Sequence, residues 1–193
     1  DVPWHNTGTL GVETGTLAFG QAGTNNGVIT LAQAAGLQLR GGTQRFAAGS
    51  RLAGAGKLII LGGTVDFDGE IALTGSQTFS GGTANVRGRY TAISNLVTIA
   101  GGKVNFSGEY DFRGSALDVA SGTAQFTGPG VVAPASLKLS PAGRLEGSAP
   151  VIVSGPLKVT SSVLTGSGTI IARDGLELSG SSLILSGRAL VNQ

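Results

Sequence analysis

The stretch Gly62 Gly63 Thr64 Val65 Asp66 Phe67 decides the reading, because it returns along the chain with small changes. Before it stands Gly41 Gly42 Thr43 Gln44 Arg45 Phe46. After it come Gly81 Gly82 Thr83 Ala84 Asn85 Val86, Gly101 Gly102 Lys103 Val104 Asn105 Phe106 and Ser121 Gly122 Thr123 Ala124 Gln125 Phe126. The starts lie 21, 19, 20 and 20 residues apart, a period of about twenty. A second segment keeps the same beat in Leu117 to Val119, Leu137 to Leu139, Leu157 to Val159 and Leu176 to Leu178. Toward the N-terminus it continues through Val97 to Ile99, Gln77 to Phe79, Leu58 to Ile60, Leu37 to Leu39 and Leu17 to Phe19, which makes nine registers.

Within each segment apolar and polar residues alternate with period two, and Val, Ile, Leu, Thr and Phe dominate, which predicts strands rather than helices. Pieces of three to six residues punctuated by Gly, Ser and Asn, about three per period, predict an all-β parallel β-helix, or β-solenoid, of about nine coils of about 20 residues. At a rise of about 4.8 Å per coil, nine coils make a rod roughly 43 Å long. The alternation points Phe46, Phe67, Val86, Phe106 and Phe126 inward as one core column. Ile60, Phe79, Ile99, Val119, Leu139, Val159 and Leu178 form another. Ile71, Tyr90 and Tyr110 share the inward parity, and each Tyr hydroxyl needs solvent or a partner. Gly69, Gly88 and Gly108 align at corners that need either positive φ or room for the next coil.

Composition agrees. The 193 residues include 34 glycines, roughly two and a half times average usage, yet no every-third glycine spacing of collagen. With 40% hydrophobic and 12% charged residues the chain is too apolar to be disordered. Without cysteine it has no disulfide, thiolate nucleophile or cysteine metal site. A net charge of +2 with dispersed Lys and Arg gives no nucleic-acid footprint. The strongest apolar run, Leu58 to Leu61, cannot span a bilayer, and no signal-peptide pattern starts at Asp1, so a mature or excised segment is expected. From about Pro129 the Gly-Gly segment fades and Pro134, Pro141, Pro150 and Pro156 appear, which predicts altered corners. No linker is evident, and residues 1–193 read as a single β-solenoid domain, a segment of a longer protein.

Outward columns are polar. Glu70, Arg89 and Glu109 form a ladder of alternating sign. Thr98, Asp118, Lys138, Lys158 and Glu177 form a second, with Lys138 over Lys158 as its one clash. Arg45, Asp66, Asn85, Asn105 and Gln125 form a third that is mostly amide. Neighbours in such columns are worth about 0.2 to 1 kcal/mol each and hold register.

Leu73 Thr74 Gly75 Ser76 Gln77 Thr78 Phe79 Ser80 Gly81 Gly82 Thr83 resembles the passenger-domain repeat of bacterial autotransporters. Leu164 Thr165 Gly166 Ser167 Gly168 Thr169 Ile170 resembles the coils of filamentous-haemagglutinin-like large exoproteins. The resemblance covers most of the chain as coil grammar. It implies a right-handed β-helix that is secreted or displayed on the bacterial cell surface as a stalk, adhesin or carrier. The distinctive N-terminal secretion domain of the haemagglutinin type has no match here.

His5 is the only histidine, so no Ser-His-Asp triad or His-rich metal site is built around it. Trp4 reads as a plug over the first coil. Asp66, Asp68 and Glu70 are the most enzyme-like cluster, with Arg87 and Arg89 one coil above. A carbohydrate-active β-helix would use such carboxylates as acid and base or to bind calcium. A charge ladder gives the same pattern and is the preferred reading, as it is for Glu109, Asp111 and Arg113. An ice-binding solenoid needs a flat Thr-x-Thr face, and only Thr7 with Thr9 and Thr14 with Thr16 carry that spacing. The expectation is therefore a non-enzymatic stalk or adhesin shaft without cofactor or metal. Its partners would be neighbouring coils or domains of a longer chain, with glycans or a host surface along a side face, and its open ends would favour end-to-end self-association.

Overall fold

Each period breaks into three short strands because a corner follows every few residues. In one coil Lys57–Ile60, Thr64–Phe67 and Glu70–Leu73 are separated by Leu61 to Gly63 and by Asp68 with Gly69. The computed structural model describes residues 3–93 and 95–193. Among them there is no helix, and every paired strand is parallel to its neighbour one coil away. The fold is a β-solenoid of about nine turns with coils of about 20 residues, as the period predicts.

Its walls are stacked sheets. One has ten strands, from Trp4–Asn6 to Ile184–Ser186, and one has nine, from Gly15–Phe19 to Leu176–Ser179. The third wall has seven strands, from Thr9–Val12 to Gly130–Val131. It then passes through a single bridge, Val132 to Val151, into three strands formed by Val151–Val153, Thr169–Ala172 and Ala189–Asn192. The break falls where Pro129, Pro134 and Pro150 interrupt the strand path, because proline has no N–H to give to a ladder.

Register follows the repeat. Thr64 lies opposite Thr83, Thr83 opposite Lys103 and Lys103 opposite Thr123. The inward residues fill the space between the walls: Phe46, Phe67, Val86, Phe106 and Phe126 are all buried. Phe46 and Phe67 lie 4.7 Å apart between ring centres, and Phe106 and Phe126 stack at 4.8 Å. Tyr90, Tyr110 and Phe112 close around the second pair. Beyond Phe126 the core is aliphatic, through Leu137, Leu145, Val151, Val159 and Ile170. Each such side chain contributes about 1.5 to 3 kcal/mol of burial.

The structure corrects the sequence reading at Leu178 and Tyr90 and decides between its alternatives at the glycine corners. Leu178 is 53% exposed rather than core, because among the described residues its strand is the last of the nine-stranded sheet. Tyr110 finds its partner by donating to the Gly128 carbonyl at 2.8 Å, but the buried Tyr90 hydroxyl has none, and burial drives its pKa far upward. The corner at Gly88 serves close approach: a Cβ there would collide with the Gly69 carbonyl. Positive φ belongs instead to the second glycine of the Gly-Gly pair, as at Gly82 with φ of 72°.

Gly82 combines that φ with backbone crowding, since a Cβ would overlap the Gly63 carbonyl oxygen, whereas Gly15 has a φ of 75° and open space. Gly15→Ala is expected to cost about 1 kcal/mol from backbone strain alone. Gly82→Ala is expected to cost at least about 2 kcal/mol, because the stacked carbonyl must also move. Denaturant titration of both variants measures the difference, and equal costs would contradict crowding between coils.

Candidate functional site

The charged face begins with alternation in Thr64–Phe67. Val65 and Phe67 are buried, so Asp66 points outward, and Asp68 follows at the corner. One coil on, Val86 pairs with Phe67, which brings Arg87 beside both carboxylates. Its guanidinium lies 2.9 Å from Asp66 and 3.1 Å from Asp68, and Arg45 approaches Asp68 from the other side at 3.5 Å. Asn85 donates to Asp66 at 2.8 Å. The hydrogen bond with Asp68 raises the Arg87 pKa above its ordinary value, against the opposing cost of burial, and Asp66 adds to the rise.

Glu70 does not join this group. It turns to Arg51 in the preceding coil, at 2.8 Å, while Arg89, its register neighbour on the other side, faces Glu109 at 3.9 Å. The five residues suggested as an enzyme site thus divide into three ion-pair sets, Asp66 and Asp68 with Arg87, Glu70 with Arg51, and Arg89 with Glu109. A carboxylate held this way has oxygen lone pairs committed to guanidinium, which leaves less capacity to move a proton or hold a cation. Among the described residues no three His, Asp or Glu side chains gather as a metal-ligand set.

The next charged group lines a shallow hollow of about 400 Å³ bounded by Arg89, Glu109, Asp111, Arg113, Pro129 and Val131. Arg113 grips Asp111 through Nη2 at 2.7 Å and Nε at 3.0 Å, and its backbone N–H donates to the same carboxylate at 3.1 Å. The Arg113 side-chain hydrogen bond holds the Asp111 carboxyl below its ordinary pKa. These charges too are engaged with each other.

Along the amide column Asn105 donates to Asn85 at 2.8 Å, continuing the bond from Asn85 to Asp66. In the lysine column Lys138 and Lys158 are register neighbours, and Lys158 turns away to Glu177 at 2.8 Å, which relieves the expected clash. Asp118, opposite Lys138, keeps one buried oxygen without a hydrogen bond. Sequence reasoning missed Arg51 and the pair of Lys103 with Glu146 at 3.6 Å. Arg51 occupies the Glu70 column one coil earlier, so its period position carried the signal. Lys103 reaches across an intervening coil, and no spacing rule announces that.

Thr43, Thr64, Thr83 and Thr123 form one outward threonine column broken by Lys103. The column beside it holds Arg45, Asp66, Asn85, Asn105 and Gln125 in place of a second row of threonine. His5 is exposed. Trp4 lies flat on Phe19, with ring centres 3.9 Å apart, and donates through Nε1 to Gln44.

Asp111 supplies a pH signature. With its folded pKa depressed, its stabilisation is full above the ordinary Asp range near 4 and is lost as the pH falls through the depressed value. Asp111→Asn is expected to cost about 0.5 kcal/mol at pH 7, a cost that shrinks toward zero in acid. Urea midpoints at several pH values measure this, and a cost independent of pH would contradict it. No protein-family model, curated protein or solved structure matches this chain.

Proposed function

We propose that the chain is a non-enzymatic shaft, a rigid β-solenoid segment of a longer secreted or surface-displayed bacterial protein. One observation carries the reading. The carboxylates that would make it an enzyme are paired with arginine, Asp66 and Asp68 through Arg87 and Glu70 through Arg51. A catalytic pair needs carboxyl groups placed to meet substrate with separate protonation states, whereas these oxygens tie successive coils together. The uninterrupted twenty-residue period supports the same view, because binding and catalytic residues concentrate in loops projecting from a scaffold, and the corners here are short.

The resemblance of the coil grammar to autotransporter passengers and haemagglutinin-like exoproteins is what supports a location at the bacterial surface. In that setting a shaft holds other parts of its chain away from the membrane, and adhesion to glycans or a host surface runs along a polar side face.

A glycan array with a polysaccharide-cleavage panel, each run with and without calcium, tests the proposal. No cleavage is expected under either condition. Binding without cleavage, weakened by substitutions in the outward ladders, would mark the shaft as an adhesin. Calcium-dependent or independent cleavage that Asp68→Asn abolishes would overturn the proposal.

A further inference from the structure

In a solenoid each coil normally contacts only its neighbours, so an end coil can peel away alone. Among the described residues Trp4 and Arg188, in the outermost coils, break that rule, as Lys103 does with Glu146 at mid-length. Trp4 belongs to the first strand of the ten-stranded sheet, where its backbone pairs with Gly23, and Gly23 pairs with Gln44 one coil further in. The indole crosses the middle coil because that position is glycine: a Cβ on Gly23 would fall within the Trp4 ring. Trp4 Nε1 then donates to Gln44 Oε1 at 2.6 Å, a bond spanning two coils. Gln44 is fully buried, and its own amide donates to the carbonyls of Gln21 and Gly41, so the acceptor is held in place.

Arg188 repeats the device at the other end. It stands just before the last strand, Ala189–Asn192, and is only 5% exposed. Its guanidinium reaches back toward the N-terminal coils. Nε donates to the Thr165 carbonyl at 2.9 Å, Nη2 to Gly147 at 2.9 Å and Nη1 to Ala149 at 3.3 Å. The register of Leu190 on Ile170 and of Ile170 on Val151 places Gly168 and Ala149 at the matching positions of the two preceding coils. Small residues there leave room for the long side chain. Among the described residues Arg188 has no carboxylate partner, and three backbone carbonyls receive its N–H groups in place of one. A charge buried at such cost is tolerated where its donors are satisfied, and here each satisfied donor also bridges coils.

We propose that Trp4 and Arg188 are matched internal ties, each fastening its own coil to the second coil inward, so that in the 193-residue chain these coils open as blocks of three. Coil-by-coil fraying then requires the tie to break first.

Hydrogen exchange of the intact chain, its Trp4→Phe variant and its Arg188→Met variant reads this directly. In the parent protein Ala189–Asn192, Thr169–Ala172 and Val151–Val153 are expected to exchange with one common opening rate. In Arg188→Met, exchange of Ala189–Asn192 is expected to rise at least tenfold and to separate from Val151–Val153, while Thr64–Phe67 is unchanged. Trp4→Phe keeps an aromatic ring but loses the Nε1 donor, and is expected to do the same to Trp4–Asn6 and Thr9–Val12 relative to Thr43–Phe46. Arg188→Lys, which keeps the charge but not the three-point fork, is expected to lie between parent and Arg188→Met. Unchanged end-coil exchange, a uniform rise across all coils, or loss of the folded state in both Arg188 variants would overturn the proposal.

Discussion

Most backbone donors of the strand walls find their acceptors one coil away. Thr64 donates to Gly42, Thr83 to Gly63, Lys103 to Gly82 and Thr123 to Gly102, each at 2.9 Å. This axial ladder is the constraint on which the remaining structure depends. It fixes successive coils at the strand spacing of about 4.8 Å, so a residue's nearest lateral neighbours are its own counterparts one period before and after. Stacks of Phe on Phe and ladders of Asp, Asn and Arg follow from that spacing. So does the demand for glycine at corners, where one coil's backbone lies against the carbonyl of the next.

The same constraint explains why charged residues can abound on one face without building an active site. Placing Arg87 one coil from Asp68, and Arg51 one coil from Glu70, brings opposite charges into contact by geometry alone. Exposed pairs of this kind contribute little energy individually. Their value lies in register: a coil slipped by one residue would put every inward side chain on the outer face and every ladder charge into the core. Lys158 turning to Glu177 rather than facing Lys138 follows the same logic.

Fold and columns were legible in the sequence because the lateral register equals the sequence period. Phe46, Phe67, Phe106 and Phe126 are recognisable as a core stack simply from recurring every twenty residues. The ladder residues Glu70, Arg89 and Glu109 are recognisable as outward for the same reason, but which partner Glu70 chooses is not, since Arg51 and Arg89 flank it equally and side-chain conformation decides. Lys103 with Glu146, Trp4 with Gln44 and Arg188 with the Gly147 and Ala149 carbonyls all skip a coil. The two end ties depend on small residues such as Gly23 and Gly168 that leave space, which a column of residue names reveals only once a long side chain is seen to use it. Leu178 fails as a core residue because burial needs a coil on both sides, and periodicity describes only the coil itself.

Removal of one whole period tests the ladder most directly. Deleting residues 97–116 brings Leu117 into the place of Val97, its register partner, and leaves every remaining column intact. The shortened protein is expected to keep its β-sheet circular dichroism and cooperative unfolding, with a urea m-value lower by about a tenth. Deleting only residues 97–106 shifts the later coils by half a period and is expected to abolish cooperative unfolding. If the ten-residue deletion folds as well as the twenty-residue one, or if both unfold the chain, stacking in register with the sequence period is not what holds this structure together.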